Sequence, residues 1–231
     1  MVPVPKPNKL DYSLPKAYRP VSLLECCGKL LEKIVAHRML ADINTHTLLP
    51  PIQFGSWDYH SAPDVALALV YNIQACRKSG YVSALLLFDV QGFFDNINIP
   101  QLLHIFSKLG FPRPLCTWLA SFLHNRHIHL MVNGIKGDPF VWDAGTPQGL
   151  PLSPILSAIY TSPLLKLVNR TWQHRSLQMY VDDRSIFACS STYHAAARKA
   201  EEGFKAIMEW LYHNGLGAEP DKTEFMIFAP R

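Results

Sequence analysis

Long apolar runs are missing from this sequence. The longest, Ala84 to Phe88, is far too short to cross a bilayer, so no membrane partner is expected. An apolar leader is missing too. The opening MVPVPKPNKL alternates proline with other residues and does not read as a signal peptide. Cysteines at metal-ligand spacing are likewise absent. The five cysteines are an odd number, with Cys26 and Cys27 adjacent, Cys76, Cys116 and Cys189 scattered, and no CxxC. That excludes a zinc ribbon and argues against a disulfide framework, so the thiols read as small apolar fillers in a reducing compartment. Charge is sparse at 17%, and no repeat or low-complexity tract is visible.

What is there is enough for a substantial core. The chain has 231 residues, of which 48% are hydrophobic, which excludes a disordered tail and fits one large domain or two small ones. Against 18 Asp and Glu stand 22 Lys and Arg, for a net charge of +4. Residues 1–40 hold Lys6, Lys9, Lys16, Arg19, Lys29, Lys33 and Arg38 against Asp11, Glu25 and Glu32, so the whole excess lies at the N-terminal end.

The pattern along the chain is α+β. Five prolines within residues 1–20 predict extended or turning chain. A helix is then expected from a Ser22–Glu25 capping box, with Leu23, Cys27, Leu30, Leu31, Ile34 and Val35 facing inward and Lys29, Glu32, Lys33 and Arg38 facing outward. A second helix is predicted from Pro63 to Lys78, and a buried strand from Val82 to Val90. Short helices follow at Pro100–Leu109 and Pro114–His124, then a hairpin turning on Asn133-Gly134, then an apolar helix from Ser153 to Val168. Leu177 to Ala188 alternates on either side of Tyr180-Val181-Asp182-Asp183, which predicts a hairpin with two carboxylates at its tip. Tyr193–His213 reads as an amphipathic helix ended by Asn214-Gly215, and Thr223–Phe228 as a last strand. Trp118, Trp172 and Trp210 are expected to pack in the core or cover the sheet.

Asp89 at a strand end and the adjacent Asp182 and Asp183 form the most chemical pattern in the sequence. Neighbouring carboxylates repel unless a cation intervenes, and oxygen ligands suit hard divalent ions. Two ions about 4 Å apart can activate an attacking oxygen and stabilise a leaving one. A polar turn would place the same two aspartates together without any such role. His127 and His129 share a strand face, and no carboxylate or cysteine set beside them completes a metal site, so they read as polar surface.

Five blocks in order go beyond this pattern. Ala17-Tyr18-Arg19-Pro20-Val21-Ser22-Leu23-Leu24, Phe88 to Asp95, Gly145 to Pro154, Tyr180 to Asp183, and Gly215-Leu216 through Glu224 span nearly the whole chain. Together they resemble the reverse-transcriptase domain of non-LTR retrotransposons, the long-interspersed-element type, particularly those of fungi. The resemblance implies a right-hand polymerase palm, an antiparallel sheet packed on helices, with partial fingers and no thumb. Residues 1–80 would be the fingers segment and 81–231 the palm, with the 124–142 hairpin extending into the fingers.

The same resemblance implies RNA-directed DNA synthesis: template-directed addition of a deoxynucleotide to a primer 3′-hydroxyl with two Mg²⁺ or Mn²⁺ ions. RNA template, DNA primer and deoxynucleoside triphosphate would be the partners, with the rest of a larger retroelement polyprotein around them. The setting would be an intracellular ribonucleoprotein, nuclear or cytoplasmic. Asp89, Asp182, Asp183 and the Val90 backbone would hold the metals. Val90, Gln91, Gly92 and Phe93 would meet the triphosphate, and Phe94 would pack under the sugar and exclude a 2′-hydroxyl. Arg19 and Lys6 would pair with phosphate, Gln148 and Gly149 would lie beside nucleotide and template, and Lys222 would protonate or neutralise the leaving pyrophosphate.

Two positions depart from the family pattern. Leu150 stands where a small serine is usual. Arg184 stands where a small residue follows the aspartates, and it could pair with them or point into the groove. The resemblance ends before a primer-gripping motif and thumb, from which weak isolated activity is expected. An inactive retroelement remnant that at most binds nucleic acid, and a fragment of a group II intron maturase, are the alternatives.

Overall fold

A computed structural model of the chain describes residues 1–50, 53, 61–171, 175–180 and 183–229. Its centre is a four-stranded antiparallel sheet in the order β6–β7–β3–β8. The strands are β3 (Val82–Asp89), β6 (Arg175–Tyr180), β7 (Asp183–Ser190) and β8 (Glu224–Phe228). Because β3 is hydrogen-bonded on both sides and covered on both faces, its sequence is an unbroken apolar run rather than an alternating one. Strands β6 and β7 form the expected hairpin, with Tyr180 paired to Asp183 at its open tip. Val181 and Asp182 lie outside the described residues.

Helix α6 (Tyr193–His213) packs across β3 and β7 through Ala196, Ala200, Ile207 and Leu211. Its small residues allow close approach to the sheet. Thr192 caps it by accepting the Ala195 N–H at 3.2 Å. Helix α5 (Leu152–Thr171) runs through the core, with Leu156, Ile159, Tyr160, Leu164 and Leu165 at most 1% exposed. Two of its buried hydroxyls bond back to the helix: Ser157 Oγ donates to the Pro154 carbonyl at 2.6 Å and Thr161 Oγ1 to the Ser157 carbonyl at 3.0 Å. Helices α3 (Ile99–Lys108) and α4 (Arg113–Leu123) close the core beside α5.

Two smaller sheets adjoin this body. Strands β1 (Val2–Pro5) and β2 (Tyr18–Val21) pair antiparallel, so the proline-rich start is extended and sheet-forming. Strands β4 (His127–Val132) and β5 (Ile135–Val141) form the hairpin expected at Asn133-Gly134, whose φ angles of 51° and 80° fit a two-residue turn. The Met131 N–H donates to the Met1 carbonyl at 2.9 Å, which sets β1 beside β4.

Three expectations need correction. Helix α1 (Cys26–His46) starts after the Ser22–Glu25 segment, and its N-cap residue Glu25 makes no side-chain capping bond. Its inner face is also different. Glu32, Val35, Ala36, Met39 and Ile43 are buried, whereas Leu30, Leu31 and Ile34 are half or more exposed. The buried positions form their own helical stripe, into which Glu32 fits by accepting the Leu152 N–H at 3.0 Å. Third, two cysteines are more than apolar fillers. Cys76, in helix α2 (Ala62–Lys78), is joined by a disulfide to Cys189 in β7. The topology brings them together although they are 113 residues apart in sequence. The capping box of α2 is present at Ser61 and Asp64. Trp118 and Trp210 pack against the core as expected, and Trp172 lies outside the described residues.

Candidate active site

The register of β3 against β7 brings the acidic positions together. Leu87 pairs with Ser185, Phe88 with Arg184, and Asp89 with Asp183. Asp89 ends the apolar strand, so its carboxylate sits where the sheet opens to solvent. A cleft of about 480 Å³ lies there, between α2 and the sheet, lined by Val65, Leu69, Leu87, Asp89, Asp183 and Lys222 among others. Asp182, the other expected metal ligand of the hairpin, lies outside the described residues.

A short segment from beyond α6 clamps Asp89. The Glu219 N–H donates to the Asp89 carbonyl at 2.9 Å and the Gln91 N–H to the Gly217 carbonyl at 2.8 Å. Val90 and Ala218 form the bridge between these bonds. The bonds use the groups flanking Val90, so its own carbonyl faces the other way. The turn Pro220–Lys222 then aims Lys222 at Asp89, and its ammonium donates to Asp89 Oδ2. Asp89 Oδ1 is buried and has no hydrogen-bond partner. A buried carboxylate oxygen left unpaired is costly, and a cation is the partner that would satisfy it. Asp89 Oδ1, the adjacent Asp183 and the Val90 carbonyl are all hard oxygen donors, the set that suits Mg²⁺ or Mn²⁺.

Basic residues gather next to this carboxylate. Burial holds the Lys6 ammonium below its ordinary pKa, and the positive charges of Lys9, Lys222 and Arg19 press it down further. That places Lys6 near Lys222, with Lys9 and Arg19 close to Lys6. Lys6 Nζ donates to the Lys16 carbonyl at 3.0 Å, and Arg19 stands exposed on β2 opposite Val4.

Residues 91–96 turn sharply away from β3, with Gly92 at φ 53° and the Asn96 amide donating to the Gln91 carbonyl at 3.1 Å. The two adjacent phenylalanines then part. Phe93 is 3% exposed and joins the core, and Phe94 is only partly buried, its ring edge-on to Phe93 at 5.7 Å. Arg184 is buried, with its guanidinium 4.7 Å over the Phe93 ring. Arg184 is also among the residues that line the cleft beside Asp89.

The loop 145–152 is held from both sides. Its Thr146 N–H donates to the Phe94 carbonyl at 2.7 Å. Gly145, at φ 60°, passes so close that a Cβ there would lie 2.6 Å from Asp95 Cα. Gly149, at φ 88°, lets the chain approach Val21, where a Cβ would come within 3.0 Å of its Cγ1. The Ser22 N–H donates to the Gln148 carbonyl at 2.8 Å, and Glu32 holds Leu152. On the other side Gln148 Nε2 donates to both carboxylate oxygens of Asp95, each at 2.9 Å. Burial pushes the Asp95 carboxyl above its ordinary pKa, while the Gln148 bond and the charge of Lys6 pull it back. Arg126 donates to the carbonyls of Ala144 and Gly145 at 2.6 and 2.9 Å. A second cleft, about 690 Å³, opens over this loop, lined by Asp95, Arg126, Thr146, Gln148 and Leu150 among others.

The structure thus brings Asp89, Asp183, Lys222, Lys6 and Val90 to one end of the sheet, and Phe94, Gln148 and Gly149 to the adjoining loop. It adds Glu32, Asp95 and Arg126, to which the sequence reading gave no role. Asp95 closes the block that begins at Phe88, and its carboxylate in an otherwise apolar and aromatic run was the available signal. Glu32 and Arg126 act through backbone partners distant in sequence, and no local pattern marks them.

Comparison with known proteins gives a consistent picture. A family model described as "Reverse transcriptase (RNA-dependent DNA polymerase)" matches residues 4–228. The probable RNA-directed DNA polymerase from transposon BS of Drosophila melanogaster is 32% identical over 222 residues, covering 94% of this chain and 24% of that protein. The RNA-directed DNA polymerase from mobile element jockey of the same species is 28% identical over 219 residues, covering 93% of this chain and 24% of that protein. The chain therefore spans about a quarter of the length of these relatives. Among solved structures, apo telomerase from Candida tropicalis truncated from its C-terminal domain aligns at a TM-score of 0.64 with 16% identity, over 86% of this chain and 40% of the other. The same enzyme in complex with a fragment of telomeric RNA aligns at 0.62 with 14% identity, over 87% of this chain and 34% of the other. These two likenesses are of fold. No described helix is long and apolar enough to cross a membrane.

Proposed function

The chain belongs to the reverse-transcriptase family, and from that premise we propose that it is the polymerising segment of a non-LTR retroelement enzyme, adding deoxynucleotides to a primer 3′-hydroxyl on an RNA template. One observation carries this reading: the register that sets Asp89 opposite Asp183 at the open end of the sheet, with an unpaired buried oxygen on Asp89.

Each residue then has a task. Asp89 and Asp183, with the Val90 carbonyl and with Asp182, which lies outside the described residues, would hold two Mg²⁺ or Mn²⁺ ions. When bound, the ions supply charge neutralisation and activation of the primer oxygen for in-line phosphoryl transfer. Lys6, Arg19 and Lys222 oppose the charge of the triphosphate, and the basic cluster beside an acidic site favours its entry. The ion pair of Lys222 with Asp89 supports a role for its ammonium in neutralising or protonating the leaving pyrophosphate. Of the Gln91, Gly92 and Phe93 backbone after Asp89, the exposed Gly92 supports an N–H contact to phosphate, since the Gln91 N–H is already given to the Gly217 carbonyl and Phe93 is buried. Phe94, partly buried beside the core aromatic Phe93, supports a steric gate against ribonucleotides. Residues 1–80 serve as fingers and 81–231 as palm, and the β4–β5 hairpin reaches toward the fingers.

Primer extension on an RNA template with deoxynucleotides and Mg²⁺ or Mn²⁺ tests this. Extension that falls to background in Asp89→Asn and Asp183→Asn is the expected result. Folded wild-type protein that extends no primer with either ion would sink the reading.

A further inference from the structure

Gln148 can offer the cleft either its amide N–H groups or its carbonyl oxygen, and its neighbour decides which. Asp95 contributes two oxygens within 2.9 Å of Gln148 Nε2. An ionised carboxylate only accepts hydrogen bonds, so it can face only the NH₂ end of the amide. The Gln148 carbonyl oxygen must then point the other way, and no hydrogen bond to it is present among the described residues. The main chain leaves little room for a different arrangement. Gln148 O is held by the Ser22 N–H, the following residue is the glycine pressed against Val21, and Asp95 is fixed by the Thr146–Phe94 bond next to it. Gln148 and Asp95 both line the 690 Å³ cleft.

We propose that Asp95 is a positioning residue that locks the Gln148 amide, so that Gln148 presents a lone acceptor to the cleft and selects a hydrogen-bond donor on the bound nucleotide. This rests on the polymerase reading for its substrate and on the geometry alone for the lock. The donor is a sugar hydroxyl or a nucleobase N–H. Asp95 touches no substrate; it acts through Gln148. An amide free to turn would offer a donor half the time, and would face the nucleotide donor with another donor.

Two measurements test the lock and its use separately. In ¹⁵N-labelled protein the Gln148 side-chain NH₂ signals are assigned by their disappearance in Gln148→Met. In the wild type they should lie away from the position of a free glutamine amide and exchange slowly, and Asp95→Asn should return them toward it. Signals already at the free position in the wild type, or unmoved by Asp95→Asn, would overturn the proposal. This readout needs no activity, so a chain with shifted signals and no primer extension refutes the polymerase reading and leaves the lock standing. In an extending enzyme, Asp95→Asn should raise KM for the deoxynucleotide about tenfold with kcat nearly unchanged. The exchanged pair Asp95→Asn with Gln148→Glu again directs an acceptor at the cleft, and should recover most of that loss. An unchanged KM, or a loss that the exchanged pair leaves in place, counts against it. Repeating the comparison with a dideoxynucleotide distinguishes the donors: a penalty that vanishes assigns the sugar hydroxyl, and one that persists assigns the base.

Discussion

Glu32 carries a carboxylate into the interior at 1% exposure, with Oε1 on the Leu152 N–H and Oε2 unpaired. Burial pushes its carboxyl above the ordinary glutamate pKa, and the Leu152 N–H only partly offsets this. The folded protein therefore keeps the Glu32 proton to higher pH than the unfolded chain. Between the ordinary value and the raised one the native state binds more protons, so this contribution to stability is lost as pH rises through that window. Glu32→Gln should remove the slope. In urea unfolding from about pH 4 to about pH 8, the variant's stability relative to wild type should grow with pH. A difference that does not vary with pH would mean the carboxylate is not desolvated. Gly145 makes the opposite kind of demand, for the absence of an atom. Gly145→Ala puts a Cβ against Asp95 and the Phe94 carbonyl at a positive φ, and should cost about 1–3 kcal/mol in the same measurement.

Helix α1 shows where sequence pattern and structure part. Its buried face runs through Glu32, Val35, Ala36, Met39 and Ile43, and its exposed face carries Leu30, Leu31 and Ile34. Substituting Met39 or Ile43 by Ala should cost about 2–5 kcal/mol, and Leu30→Gln or Ile34→Gln should stay within about 0.5 kcal/mol. Reversed magnitudes in chemical denaturation would restore the face that periodicity predicts. Strand β3, helix α6 and both hairpins were legible because their signals are local: a short apolar run between glycines, a clean helical period, an Asn-Gly turn. The face of α1 was not, because two apolar stripes compete along it and the buried one includes Glu32, whose partner lies 120 positions away. The site divides in the same way. Asp89, Asp183, Gln148 and Lys222 stand in recognisable blocks, whereas Asp95 and Arg126 gain their roles only when the loop folds back on them.

Across the whole molecule, the disulfide between Cys76 and Cys189 ties α2 to the far end of β7 and closes a loop of more than a hundred residues. A cross-link of this span is worth about 2–4 kcal/mol through the unfolded state. Reductant should lower the thermal midpoint of the oxidised protein and leave Cys76→Ala with Cys189→Ala unaffected. Equal midpoints with and without reductant would show that the bond is not formed in solution. Cys26, Cys27 and Cys116 take no part, so thiol counting gives a second check.

The pairing of β3 with β7 has one further consequence. Along β7, an acidic residue and a basic one are neighbours, Asp183 and Arg184, and only the first lies opposite Asp89. Strand partners can shift only in whole residues, and each single step exchanges the two faces. A slip of one position that set Arg184 opposite Asp89 would place a guanidinium where a carboxylate stood and weaken the attraction for cations. An insertion or deletion within β7 that made this shift would therefore cost function far out of proportion to its effect on packing.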